Sequence, residues 1–97
     1  LEISNSTTKD IFEFKVRIST SSKIVALKSY NFKGLNRLSI RKNADLYKYY
    51  FGNSSNFKDA KKNLNKAISV GFNDAFIELF KNNKPYDINK YLSEIEK

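Results

Sequence analysis

A chain of 97 residues has room for one domain around a single core. It contains neither cysteine nor histidine, which excludes disulfides, thiolate metal sites and the commonest general base. Its net charge of +8, from 18 basic and 10 acidic residues, favours a polyanionic or carboxylate-bearing partner. Lysine supplies most of that charge, with Arg17, Arg37 and Arg41 the only arginines. A sequence-specific nucleic-acid reader leans more on the planar guanidinium fork. No apolar run approaches the roughly 18 to 20 residues of a membrane-spanning helix. The polar opening LEISNSTTKD reads as linker over residues 1–9. The chain is thus expected to be a module of a longer protein, with any targeting signal upstream.

Residues 11–19, IFEFKVRIS, alternate with period two. Phe12, Phe14, Val16 and Ile18 share one face, and Glu13, Lys15, Arg17 and Ser19 share the other. This is a half-buried strand. After the loop TSSK, residues 23–37 hold the beginnings of a helix at Ile24, Ala26 and Leu27. Ser29, Asn31 and Gly34 interrupt it. One or two helical turns with irregular chain are expected there, Phe32 and Leu35 plugging the core.

LSIRKN, near 38–43, predicts a second strand with Leu38 and Ile40 inward and Ser39 and Arg41 outward. A turn at Asn43-Ala44-Asp45 returns the chain as a third strand, LYKYYF, which Gly52 is expected to end. Tyr49 and Phe51 face inward there, Lys48 and Tyr50 outward. Asn56 caps the following helix, with Asp59 in its first turn. Phe57, Ala60, Leu64, Ala67 and Ile68 form its core stripe, and Gly71 closes it. DAFIELF, residues 74–80, predicts a fourth strand, burying Ala75, Ile77 and Leu79 and exposing Phe76, Glu78 and Phe80. Asn82-Asn83 is a turn, Lys84-Pro85-Tyr86 leads to the cap Asp87, and Ile88, Tyr91, Leu92 and Ile95 line a terminal helix.

The order β, weak α, β, β, α, β predicts an α+β fold of the split βαβ, ferredoxin-like kind. It is a two-layer sandwich, with helices on one face of a four-stranded antiparallel sheet. The expected domain spans 10–86, with the helix over 87–97 packed on it. The uncovered face collects Lys15, Arg17, Ser39, Arg41, Lys48, Tyr50, Phe76, Glu78 and Phe80, a mixture of cations and rings suited to a ligand with apolar faces and negative charge. That pattern also has a plain structural reading, since rings fit pleated surfaces and lysines deter edge pairing. Catalysis has little support. The carboxylates form no acid–base pair, Ser21-Ser22 and Ser54-Ser55 have no histidine to activate them, and metal ligands are missing. A binding module is expected, without enzymatic activity, metal or cofactor.

FKVRISTSSK, followed by LYKYYFGNSSNFKDAKKNLNKAISVGFNDAFIELFKNNKP, resembles the SPOR domain, a bacterial peptidoglycan-binding module. The version at the C-terminus of cell-wall amidases is most similar, with F-K-G-L before the second strand and L-Y-K-Y before the glycine; Asn31 to Leu35 and Leu46 to Tyr49 match it. The likeness covers roughly residues 12–86. It departs where the family glutamine is Arg17, its glycine and aromatic are Ser19 and Ser21, and a family arginine position is Tyr50. The resemblance implies binding to glycan strands stripped of stem peptides, in the bacterial periplasm or envelope and enriched at the division septum. It further implies a monomer that neither inserts into membranes nor binds nucleic acid. Stripping leaves a free lactyl carboxylate, which Lys15, Arg17, Arg41 or Lys48 could pair, while Tyr50 and Phe76 stack on sugar rings and Ser22 bonds hydroxyl or acetamido groups. A single-stranded nucleic-acid sheet and an envelope protein-interaction domain are the alternatives.

Overall fold

The computed structural model describes residues 9–95. The linker expected over 1–9 falls outside them except for Lys9, as do the last two residues of the segment expected as a helix over 87–97. The elements are β1 (Phe12–Ser21), one 3-10 turn (Ser29–Asn31), β2 (Leu38–Asn43), β3 (Leu46–Ser54), α1 (Phe57–Ser69), β4 (Phe76–Lys81), β5 (Lys84–Tyr86) and α2 (Ile88–Ile95). They make an α+β fold, one curled antiparallel sheet in the order β2-β3-β1-β4-β5 with two helices.

The sheet has five strands where four were expected. Lys81-Asn82-Asn83-Lys84 is a two-residue hairpin in which Asn82 and Asn83 both adopt positive φ, 52° and 68°. Positive φ at both central positions is the turn that matches strand twist, and asparagine tolerates it. Lys84-Pro85-Tyr86 therefore pairs back on β4 before the helix begins. Proline is accepted there because β5 is an edge strand. Asp87 then caps α2, its carboxylate accepting from the amides of Asn89 and Lys90.

Alternation along β1 buries Phe14, Val16 and Ile18 as expected. Phe14 packs with Ala60, Leu79, Phe57 and Tyr91; Val16 and Ile18 pack with Tyr49, Phe51, Ala67, Phe32 and Leu35. Each such side chain, fully buried, contributes roughly 1.5–3 kcal/mol. Both helices lie on this inner face. Tyr91 of α2 meets Phe12 and Phe14 with ring centroids 4.7 and 5.4 Å apart. The helix stripe is narrower than its spacing suggests: Ala60 and Ala67 are buried, but Ile68 is 40% exposed. It sits about 100° around the helix from Ala67, at the edge of the stripe.

Asn56 caps α1 through its side chain, accepting from the Asp59 amide at 2.8 Å. The C-terminal end closes as a Schellman motif: Phe72 N–H donates to Ala67 C=O and Gly71 N–H to Ile68 C=O, with Gly71 at φ 121°. Between β1 and β2 the expected weak helix shrinks to the 3-10 turn. Phe32 and Leu35 plug the core as expected. The segment is pinned by Tyr49, whose hydroxyl accepts from the Val25 amide at 2.8 Å.

Two bulges offset each other along the β1–β3 ladder. One lies on β3 at Gly52 and Asn53, so Gly52 does not end the strand; it bends it, and pairing resumes at Ser54. Gly52 has φ 74°, and a Cβ there would meet Asn63 Nδ2 at 2.5 Å. Asn63 in turn donates to Ser54, so helix and strand approach closely through this glycine. The other bulge, on β1 between Arg17 and Ser19, shifts the pairing of the last strand residues by one. Ser19 stands opposite Tyr49, and Thr20, not Ser19, stands opposite Lys48.

Candidate functional site

With both helices on the inner face, the outer face of the sheet is left to strand side chains alone. Register aligns Tyr50 of β3, Arg17 of β1 and Phe76 of β4 across it. Lys15 stands opposite Glu78, and Arg41 opposite Lys48. The residues singled out from the alternating pattern, Lys15, Arg17, Arg41, Lys48, Tyr50 and Phe76, are thus on one face. Ser22 is not brought among them. It sits exposed in the bend beyond β1, apart from the hollows of this face.

The face is not the open platform expected from alternation. Tyr50, taken for an exposed stacking ring, is 1% exposed, and so is Phe80. Neither helix covers them. Their rings meet edge to face with centroids 5.6 Å apart. Long cationic side chains then lie over Phe80, the Arg41 guanidinium 4.4 Å and Lys15 Nζ 5.6 Å from its centroid. Apolar stems of lysine and arginine cover rings well while their charged heads stay in water. Tyr50 is therefore a structural residue with no free ring face for a ligand.

Its hydroxyl donates to Glu78 Oε1 at 2.6 Å, a short charge-assisted bond. Burial first, and the Glu78 carboxylate second, raise the phenol well above the ordinary tyrosine range. Glu78 Oε2 also pairs with Arg17 at 3.4 Å, both side chains about three-quarters buried. Glu78 is the organising residue of this face, and its position was legible while its role was not. Arg17 stacks on Phe76, 4.5 Å from guanidinium to centroid, and Phe76 keeps 43% of its surface exposed. Phe76 is the aromatic side chain of this group that remains open to a ligand.

The sheet curls so strongly that the edge strand β2 reaches the distant β4–β5 turn over the outer face. Arg41 of β2 donates to Asn83 of the β4–β5 turn through both terminal nitrogens, to Oδ1 at 3.0 Å and to the backbone oxygen at 3.2 Å. That turn is itself anchored, for Asn82 bonds the backbone of Ile11 and the Asp10 carboxylate. The Asn82 amide, then Lys81, hold the Asp10 carboxyl below its usual range. Three hollows are lined by side chains of this face, one of them beside Arg41. One of about 300 Å³ is lined by Arg41, Lys48, Tyr50, Glu78, Phe80 and Pro85 with their neighbours Lys42 and Asn43. A second, about 280 Å³, lies along Arg17, Thr20, Asp74 and Phe76. The third, about 300 Å³, lies along Lys15, Ser39 and Asn53.

Lys15, Arg17, Arg41 and Lys48 outnumber Glu13 and Glu78 on this face, which favours an anionic or carboxylated ligand. Among the described residues no cluster of three or more metal-ligating carboxylates occurs, and no helix is long and apolar enough to cross a membrane. Compared with protein-family models, curated proteins and solved structures, the chain matches none of them.

Proposed function

We propose that this chain is a non-catalytic glycan-binding module of the SPOR kind, recognising peptidoglycan strands without stem peptides and carrying its parent protein to the cell wall or division septum. The observation that carries the reading is the uncovered outer face, where the exposed ring of Phe76 lies against Arg17, with Lys15 and Lys48 nearby and neither within ion-pair distance of a carboxylate among the described residues. The strand order supports it as well. Four of the strands, β2-β3-β1-β4, follow the split βαβ arrangement, with β5 appended and the first crossover reduced to a 3-10 turn. A muramic-type sugar offers an apolar ring face for Phe76 and, once its peptide is removed, a carboxylate for Arg17, Lys48 or Lys15. Exposed pairs of that sort contribute about 0.2–1 kcal/mol each, so an extended strand has to sum several of them to reach micromolar affinity, about −8 kcal/mol. RNA-recognition sheets stack two or three bases on exposed rings. Here Tyr50 and Phe80 are both buried, Phe80 beneath Lys15 and Arg41, which leaves little platform for that chemistry.

Sedimentation of the protein with purified sacculi, before and after amidase digestion, tests the reading. Retention is expected to rise on digestion. Arg17→Ala and Phe76→Ala are each expected to weaken it several-fold and together to abolish it. Equal retention by peptide-bearing and stripped sacculi, or full retention of the double variant, would overturn the proposal.

A further inference from the structure

The Arg41–Asn83 contact has a consequence for how a polymer can lie on this face. Pairing of Ser21 with Tyr47 sets the β2–β3 hairpin near the C-terminal end of β1. Pairing of Phe12 with Lys81 sets the β4–β5 turn near its N-terminal end. These are diagonal corners of the sheet, and Arg41 joins them by two hydrogen bonds. The strap so formed is packed down, its guanidinium on the Phe80 ring and that ring against Tyr50. Nothing the width of a sugar passes beneath it. A chain laid over Phe76 and Arg17 and running past Glu78 meets the strap at the pocket of about 300 Å³. That volume is at the lower limit of ligand pockets, roughly 300–1,000 Å³, and suits one sugar ring better than two.

We propose that this pocket is a terminal subsite: the module takes the end of a carboxylated glycan strand, its last sugar stopped by the strap, and does not bind the middle of a chain. The inference rests on the glycan-binding reading above and deepens it. Lys48 lines the pocket and has no carboxylate within ion-pair distance among the described residues, so its ammonium is the partner for the terminal sugar's carboxylate. Glu78, with Tyr50 on one oxygen and Arg17 on the other, keeps lone pairs for a ring hydroxyl or an acetamido N–H. Phe80 and Pro85 supply apolar wall.

Stoichiometry separates an end-binder from a mid-chain binder. Amidase-stripped glycan, fractionated from tetrasaccharides to chains of tens of sugars, would be titrated calorimetrically with the intact 97-residue chain. One module per strand is expected at every length. A number of bound modules that grows with strand length would overturn the terminal subsite and leave the glycan reading standing. No heat with any stripped glycan would overturn both. Arg41→Ala, which cuts the strap, is expected to let long strands take up more than one module. Asn83→Gly removes one strap bond at a φ of 68° that glycine adopts freely, and is expected to act in the same direction more weakly. If both variants fold and both stay at one module per strand, the strap is not the stop and the inference fails.

Discussion

Replacing Tyr50 by phenylalanine removes a single oxygen from the centre of the outer face and keeps the ring against Phe80. The lost bond is the 2.6 Å donation to Glu78. A hydrogen bond to a charged acceptor contributes about 1.5–3 kcal/mol net. Glu78 is a quarter exposed and retains Arg17, so water and the guanidinium recover part of the loss. The lower end, about 1.5 kcal/mol, is expected at pH 7, or roughly 6–12 °C in Tm for a domain of this size. The same bond carries a pH signature. The folded protein holds the Tyr50 proton above the ordinary value of 10.0, so it keeps that proton where the unfolded chain releases it. The stabilisation is whole below about pH 10 and falls as pH rises beyond it, by at most about 1.4 kcal/mol per pH unit. Tyr50→Phe lacks this loss, and the remaining tyrosines are common to both proteins and cancel in the difference. Urea denaturation followed by circular dichroism is therefore expected to give a gap of about 1.5 kcal/mol at pH 7 that nearly closes at pH 11. A variant as stable as the parent at pH 7, or a gap unchanged at pH 11, would refute the assignment of Tyr50 as a buried donor to Glu78.

Gly52→Ala is expected to cost about 2–3 kcal/mol, from left-handed backbone strain of about 1–2 kcal/mol and displacement of Asn63 from Ser54; a midpoint in denaturant within error of the parent would contradict the close approach seen there. Asn56→Ala removes the side-chain cap of α1 and should lower stability by about 1 kcal/mol, whereas Asn56→Asp should retain most of it, measured by thermal melts. Ala44 in the β2–β3 turn has φ 56°, a conformation alanine adopts at a cost. Ala44→Asn is expected to stabilise by about 0.5–1 kcal/mol without altering glycan retention, and a fall in Tm would place the strain elsewhere.

Much of this molecule is decided by short-range pattern. Alternation over Phe12, Phe14, Val16 and Ile18 chooses the buried face of β1 because successive side chains must point to opposite sides of a pleat. Asn56 and Asp87 start helices because their side chains accept amide hydrogens that the first turn leaves unpaired. Gly71 stops a helix because it adopts a positive φ freely. The α+β class and the shared outer face of Arg17, Tyr50 and Phe76 follow from these local rules.

Beyond the reach of local pattern lay the fate of that second face. Alternation says which way a ring points, not what comes to lie over it. Tyr50 and Phe80 are buried because the sheet curls until Arg41 reaches Asn83, 42 residues away in the chain, and because Lys15 and Arg41 lie over the Phe80 ring, which itself packs on Tyr50. Coiling of that size is a sum of twists and two bulges over five strands, and no single window of residues contains it. Whether the outer surface is a flat platform or a strapped trough was accordingly settled by tertiary structure alone.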